Sequence, residues 1–409
     1  MAWKQLWIIG VRDLMRNRRR TALTIIAVAL GLTMLMMLNG LIMGALEDSL
    51  QSSIRYQTGH VQVRRDSYEV ERLSLEWKDL LEDPAALVTQ AEDMPQVDYA
   101  APVLWINGIL NTADDSAGVR VYGIDVASPL HDPIRQATVA GDFLTADDRE
   151  GILIGQVLAD NLGVGVGQKL VLDIVNADGQ PEESVFTIRG LFATGFPFYD
   201  QTSLFLPLSK AQAFAGTGER ASAVVVMIHD QNQADKVAAA LGGPGLETLT
   251  WKGLNAVLTT GVQTALSFYY VLDGIVILVV AVIIANTLLM AVFERVREIG
   301  ILAALGMRAA QVRLMFVIEA AILGLVGIAV GFALGSLGVA YLARVGLEIG
   351  DVATVAGNAI LFGNKMYAHF VPGLFAGLAA ATLVVILLAS LYPAWYASRL
   401  EPVEALRAL

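Results

Sequence analysis

Four long apolar stretches of the chain carry no charged residue, at 21–46, 274–293, 320–343 and 371–397. A helix needs roughly 20 apolar residues to cross a bilayer, and each stretch supplies them. The pattern predicts spans at 21–46, 264–293, 316–343 and 370–397, with a short loop at 344–369 before the last. The first stretch follows basic residues, as a secretion signal does. Its apolar run is too long for one and no small-residue cleavage site closes it, so it reads as a retained anchor. Between the first and second spans, over 47–263, the pattern changes. "GHVQVRR" from Gly59 and "GVRVYGID" from Gly118 alternate with the period of two expected of strands. "QKLVLDIVNADGQPEESVFTIRGLF" reads as a hairpin turning at Asn176, Ala177, Asp178 and Gly179. "ASAVVVMI" from Ala221 reads as a buried strand. "LEDPAALVTQAEDM" and "DQNQADKVAAAL" read as helices, the second opened by Asp230. The expected fold is a membrane protein of four transmembrane α-helices, with a large α+β domain, in two subdomains, inserted between spans one and two.

Composition agrees. The 409 residues are 55% hydrophobic and 16% charged, with a mean hydropathy of +0.58, too apolar for a soluble chain of this length. No cysteine is present, which excludes disulfides and thiol chemistry. Histidines at 60, 131, 229 and 369 have no metal-site spacing, and His369 reads as an interface residue. The distribution of charge is more informative than its sum of −11. Residues 1–20 hold six Lys and Arg, the 294–313 loop four, and Arg399 and Arg407 follow the last span. Basic loops stay inside, so both termini and the 294–315 loop are expected in the cytoplasm, and residues 47–263 outside. The inserted domain holds 14 basic and 30 acidic residues, a net charge of −16, which argues against a nucleic-acid partner.

The N-terminal segment 1–20, "MAWKQLWIIGVRDLMRNRRR", places Trp3, Leu6, Trp7 and Leu14 near helical spacing and reads as an amphipathic helix at the membrane surface. In span three Gly327, Gly331 and Gly335 recur every fourth residue, a flat strip for helix packing or self-association. Asp273 and Glu319 lie near span ends, where snorkelling is cheap. Asn39 and Asn286 suit hydrogen bonds between helices.

The loop after span two, "ERVREIGILAALGMRAAQVRLMF" from Glu294, has an unusual make-up. Span two should continue as helix through Glu294, Arg297 and Glu298. Ile299, Leu302, Ala303 and Leu305 would then form an exposed apolar stripe, and Gly306 would end or bend the helix. A second helix over 309–316 would lead into span three. An exposed apolar face ringed by charge calls for a partner.

That stretch resembles the signature of ABC-transporter permeases of the FtsX/MacB type, also called type VII. "RNRRRTALTIIAVALG" from Arg16 and "YPAWYASRLEPVEALRAL" from Tyr392 resemble the family's terminal motifs. "TGHVQV", "ILIGQVLADNLGVGVGQKLVLDI" and "FTIRGLFATGFPFYDQTSLFLPLSKAQ" are similar to the lipoprotein-releasing LolC/LolE group. The resemblance implies that the 294–315 hairpin docks on a cytoplasmic ABC ATPase subunit, with Glu294, Arg297, Glu298, Gly300, Leu302, Leu305 and Gly306 as coupling residues. It also implies a second permease, identical or a paralogue, in a bacterial inner membrane. The chain would pass ATP-driven motion to the outer domain (mechanotransmission) and expel a lipoprotein or lipid-like cargo. Phe196, Phe198 and Tyr199, in the apolar stretch 194–201, are candidate cargo contacts or lie buried under the domain. A periplasmic or extracellular partner is compatible with the family. One permease of such systems hooks a soluble carrier with a long hairpin, for which the connection 176–184 here is too short. No catalytic residue, metal or cofactor is expected in this chain; ATP and Mg would sit on the partner. No G-x-x-x-x-G-K-[ST] motif occurs, and "GVGVGQK" from Gly163 precedes a strand and reads as a turn. The rival reading within the family is a non-transporting regulator of a wall hydrolase.

Overall fold

The computed structural model describes residues 12–69, 72–348 and 365–400. The chain divides into two compact units, with boundaries after Ala45, Gly261, Leu347 and Lys365.

The inserted unit is built on one sheet of ten strands: β1 (Val61–Arg65), β2 (Val97–Asn111), β3 (Ser116–Ile124), β4 (Thr138–Gly141), β5 (Gly151–Gly155), β6 (Lys169–Val175), β7 (Pro181–Phe192), β8 (Ser203–Pro207), β9 (Ala223–Ile228) and β10 (Leu246–Thr250). Their order is β10-β1-β9-β2-β3-β8-β5-β7-β4, with β6 bridging β2 and β7. The long strand β2 makes the sheet continuous. Its first half pairs antiparallel with β9, and its second half pairs with β3 and β6. The expected two subdomains are therefore two hydrophobic cores on one sheet. The larger core gathers Leu104, Val121, Ile154, Phe186, Phe192 and Phe205. The smaller one packs Val61, Val63, Val224 and Val226 against Val237 and Leu241 of the helix Ala234–Leu241. Burying each large apolar side chain contributes about 2 kcal/mol.

The local sequence signals hold. Asp83 accepts from the amide of Ala86 and caps the helix Pro84–Glu92. Asp230 caps the turn before Ala234–Leu241. The expected hairpin is β6–β7, paired from Lys169↔Thr187 to Val175↔Pro181. Its turn is closed by the Asn176 amide on the Gln180 carbonyl at 2.9 Å and by Gly179 at φ +73°. Gly163 and Gly167 take positive φ in the turn before β6, so "GVGVGQK" is a turn.

Among the described residues four helices are long and apolar enough to cross a membrane: Arg18–Thr58, Leu266–Glu294, Ala309–Val345 and Pro372–Ser398. Span one is helical over Arg18–Ser53, two turns beyond the expected end at 46, and closes in a π-helical turn, Ile54–Thr58. The helix of span two begins at Ala256. Residues 309–316 are not a separate helix but the first turns of span three. Of the N-terminal segment, residues 12–16 are helical and 1–11 lie outside the described residues, as do 401–409 of the tail and 349–364 of the loop.

The glycine strip of span three is occupied by span one of the same chain, which corrects the self-association reading. A Cβ on Gly327 would lie 2.7 Å from Val28, one on Gly331 2.7 Å from the Ala29 carbonyl, and one on Gly335 2.7 Å from Met36. Thr33 Oγ1 donates to the Gly331 carbonyl at 3.1 Å across this contact.

Candidate functional site

The connection between spans two and three begins with a break. Span two ends at Glu294, and Arg295 leaves helical geometry at φ −119°, ψ 16°. A new helix then runs Val296–Ala304. The expectation that span two continues unbroken through Glu298 is corrected here, and the cause is the surroundings of Arg295. Its side chain is 4% exposed, with Nη1 2.8 Å from the Asp13 carboxylate and Nη2 donating to the Asp13 carbonyl at 3.1 Å. Glu319 of span three, 1% exposed, has Oε2 3.9 Å from Nη1. A straight helix would carry this guanidinium away from both acids.

The far end is set by Gly306, at φ +93°. The Gly306 amide donates to Ala303 and the Met307 amide to Leu302, each at 3.0 Å. This is the Schellman arrangement, in which glycine takes the left-handed position that other residues disfavour. Gly306 ends the helix as its sequence position suggested. The Arg308 amide then donates to Gln311 Oε1 at 2.9 Å and starts span three.

Around the break, residues 13–20 and 294–298 are joined by ion pairs. Arg20 meets Glu294 at 2.7 Å, Asn17 donates to the same carboxylate at 2.9 Å, and Arg16 meets Glu298 at 2.6 Å. Each exposed pair contributes at most about 1 kcal/mol. The buried Arg295 differs, because losing one partner of a buried pair leaves an uncompensated charge and costs about 3–5 kcal/mol.

The expected coupling residues separate into two groups. Glu294 and Glu298 face the N-terminal segment, and Gly300 is buried. The predicted exposed stripe is largely inward. Ile299 is 3% exposed and packs with Met315, Phe316, Ala394 and Ala397, and Leu302 is half-buried. The outward face is Arg297, Ile301, Leu305 and Arg308, with Leu305 80% exposed. Sequence reasoning missed Ile301, although the four-residue steps from Arg297 through Ile301 to Leu305 carry that signal. Asp13, Arg16 and Arg20 were missed because no spacing links them to residues nearly 300 positions away.

Two expectations about polar residues in the spans are corrected. Neither Asp273 nor Glu319 snorkels. Asp273 is 4% exposed and accepts from Asn39 Nδ2 at 3.0 and 3.2 Å, and Glu319 faces Arg295. Asn39 is thus the interhelix residue expected, whereas Asn286 is exposed. The His369 amide donates to the Gly40 carbonyl at 2.9 Å, laying that loop on span one.

The segment 194–201 is tied inward rather than presented as a tip. Thr194 donates to Asp200 through its amide and, at 2.6 Å, its hydroxyl. Tyr199 is 4% exposed and donates to the Tyr56 carbonyl at 3.0 Å, so it is a core residue and not a cargo contact. Phe196 is half-buried against Tyr56, and the Phe198 side chain lies outside the described residues. Among the described residues no group of three or more His, Asp or Glu is placed to hold a metal.

Residues 21–243 match the MacB-like periplasmic core domain, and residues 270–402 match the FtsX-like permease C-terminal domain. Over 434 positions the chain is 25% identical to the lipoprotein-releasing system transmembrane protein LolC of Neisseria meningitidis serogroup B, covering 98% of this chain and 99% of that protein. It is 26% identical, also over 434 positions, to the pyoverdine export ATP-binding/permease protein PvdT of Pseudomonas syringae pv. tomato, covering 99% of this chain and 58% of that protein. The solved periplasmic region of MacB from Actinobacillus actinomycetemcomitans aligns with a TM-score of 0.33 and 14% identity, over 51% of this chain and 97% of that one. The first family match takes in more than half of the chain and the second takes in the last three spans, so the chain belongs to the FtsX/MacB family of ABC-transporter permeases.

Proposed function

We propose that this chain is the membrane subunit of an export system of the LolC type, driven by an ABC ATPase on a separate chain. The observation that carries this reading is the outward face of the Val296–Ala304 helix. Arg297, Ile301 and Leu305 stand exposed between two fixed ends, the break at Arg295 and the turn at Gly306, and Arg308 stands exposed just beyond that turn. An apolar centre between two arginines fits a groove on a protein whose rim is acidic. The basic segments assign this face to the cytoplasm, where ATP and Mg would be bound and turned over by the partner.

Span one is one unbroken helix from Arg18 to Ser53 and supplies a path from the hairpin to the inserted domain. Movement of the docked helix would reach that domain mechanically, without a solute pathway. Full-length similarity to a lipoprotein-releasing permease supports a lipoprotein or another lipid-anchored molecule as cargo. A second permease would pack against the exposed apolar side chains of spans one and two, among them Leu30, Met34, Leu278 and Val282. The five residues of the turn between β6 and β7 leave no length for a carrier hook, so carrier capture is assigned to another chain or is absent.

Leu305→Asp tests docking. Placing a carboxylate in an apolar interface costs about 2 kcal/mol or more, roughly thirty-fold in affinity. Leu305 is 80% exposed, so the fold should survive. The ATPase should co-purify with the wild-type chain in mild detergent and be lost from the variant. Equal recovery with both chains would overturn the assignment.

A further inference from the structure

The two acids around Arg295 are unequally satisfied. Asp13 holds the guanidinium by an ion pair of its carboxylate with Nη1 at 2.8 Å and by its carbonyl, which accepts from Nη2 at 3.1 Å, while Nη1 itself makes no hydrogen bond. Glu319 Oε2 is buried without a hydrogen-bond partner, and its distance of 3.9 Å from Nη1 is beyond bonding length. An orphaned carboxyl oxygen in so buried a site is costly, yet its partner is about 1 Å out of reach. Asp13 lies in the N-terminal segment, Glu319 on span three, and Arg295 at the break that starts the docking helix. The bond to Asp13 therefore ties the docking helix to the segment that leads into span one. A bond to Glu319 would tie it to span three instead.

We propose that Arg295 is a two-position joint: it is held by Asp13 in the present arrangement and passes to Glu319 when the docking helix is displaced. The proposal rests on the docking reading above and adds the residues that route its motion. No chemistry beyond exchange of ion-pair partners is involved. The two positions compete for one guanidinium, so each is stabilised when the other acid is removed. Arg16–Glu298 and Arg20–Glu294 lie on the outside of the same joint and are exposed enough to break and re-form in water.

The absence of cysteine in the native chain allows a direct test on the full-length permease in lipid nanodiscs. Spin labels on cysteines at Met15 and Arg313, both exposed, report the separation of the N-terminal segment from span three. Asp13→Asn and Glu319→Gln keep side-chain size and remove one charge each. Asp13→Asn should move the distance distribution to a second value, and Glu319→Gln should keep the wild-type value. With the ATPase bound and trapped with ADP and vanadate, the wild type should adopt the Asp13→Asn value, and Glu319→Gln should not. Asp13→Asn indistinguishable from wild type, or both variants shifted alike, would overturn the joint. The measurement on the permease alone does not require ATPase binding. A failed docking reading would appear separately, as no ATPase recovered with the wild-type chain.

Discussion

His131 shows how little of a side chain's environment a sequence position carries. From the sequence it was one of four scattered histidines without metal spacing. In the fold it ends a short turn after Ser128 and is buried, with Nε2 lacking a partner. Burial, and then the neighbouring Arg135 charge, push its pKa from 6.5 down to about 3. The folded value is depressed, so the folded chain holds the ring neutral while the unfolded chain takes up a proton below about pH 6.5. The stabilisation is complete above pH 6.5 and is lost as pH falls toward 3, amounting to about 2 kcal/mol by pH 5. Hydrogen exchange in β2 and β3 of the full chain should accelerate accordingly between pH 7 and pH 5. His131→Leu should flatten that part of the dependence, and an unchanged slope in the variant would refute the assignment. Asp273 and Glu319 carry the same lesson. Each was expected at a span end from its position, but what buries each is a partner from another helix, Asn39 or Arg295, which no local pattern reveals.

Elements were more legible than the joints between them. Strand alternation, the Asp230 cap and the Gly306 stop are governed by chemistry within a few residues, and all formed where expected. The break at Arg295 was not foreseen, because the partner that holds it out of the helix comes from residue 13. The glycine strip was legible as a packing surface but not as to what packs there. Because span one fills it, with backbone rather than a flexible side chain against Gly331, enlargement has no room to relax. Gly331→Val would place its Cβ near 2.7 Å from the Ala29 carbonyl and force spans one and three apart. Overpacking of this kind costs about 1–3 kcal/mol. The melting temperature of the variant in detergent should fall by several degrees, whereas Gly373→Ala, where a Cβ meets open space, should leave it unchanged. Equal melting of the two variants would mean that the close approach of spans one and three does not contribute to stability.

At the scale of the whole molecule, charge and hydropathy are read over entire segments rather than at single contacts, and the sidedness they predict is open to a direct test. The apolar runs place four spans, and the family matches agree with one span, an inserted core domain and three further spans. The continuity of the ten-stranded sheet was not legible, because it depends on β2 pairing at its two ends with residues sixty or more positions downstream. The expected orientation rests on the bias in Lys and Arg: six in residues 1–20 and four in 294–313, against a net −16 in residues 47–263. Asp178, at the turn between β6 and β7, and Arg308, after the docking helix, are both exposed. A single cysteine at either is the chain's sole thiol. On intact cells a membrane-impermeant maleimide should label Asp178→Cys and spare Arg308→Cys, and lysis should make both reactive. In a Gram-negative host the outer membrane must first be permeabilised, so that failure to label reports the inner membrane alone. Labelling of Arg308→Cys on intact cells, with Asp178→Cys protected, would place the docking helix outside, away from any source of ATP, and would remove both the proposed coupling and the joint at Arg295 that serves it.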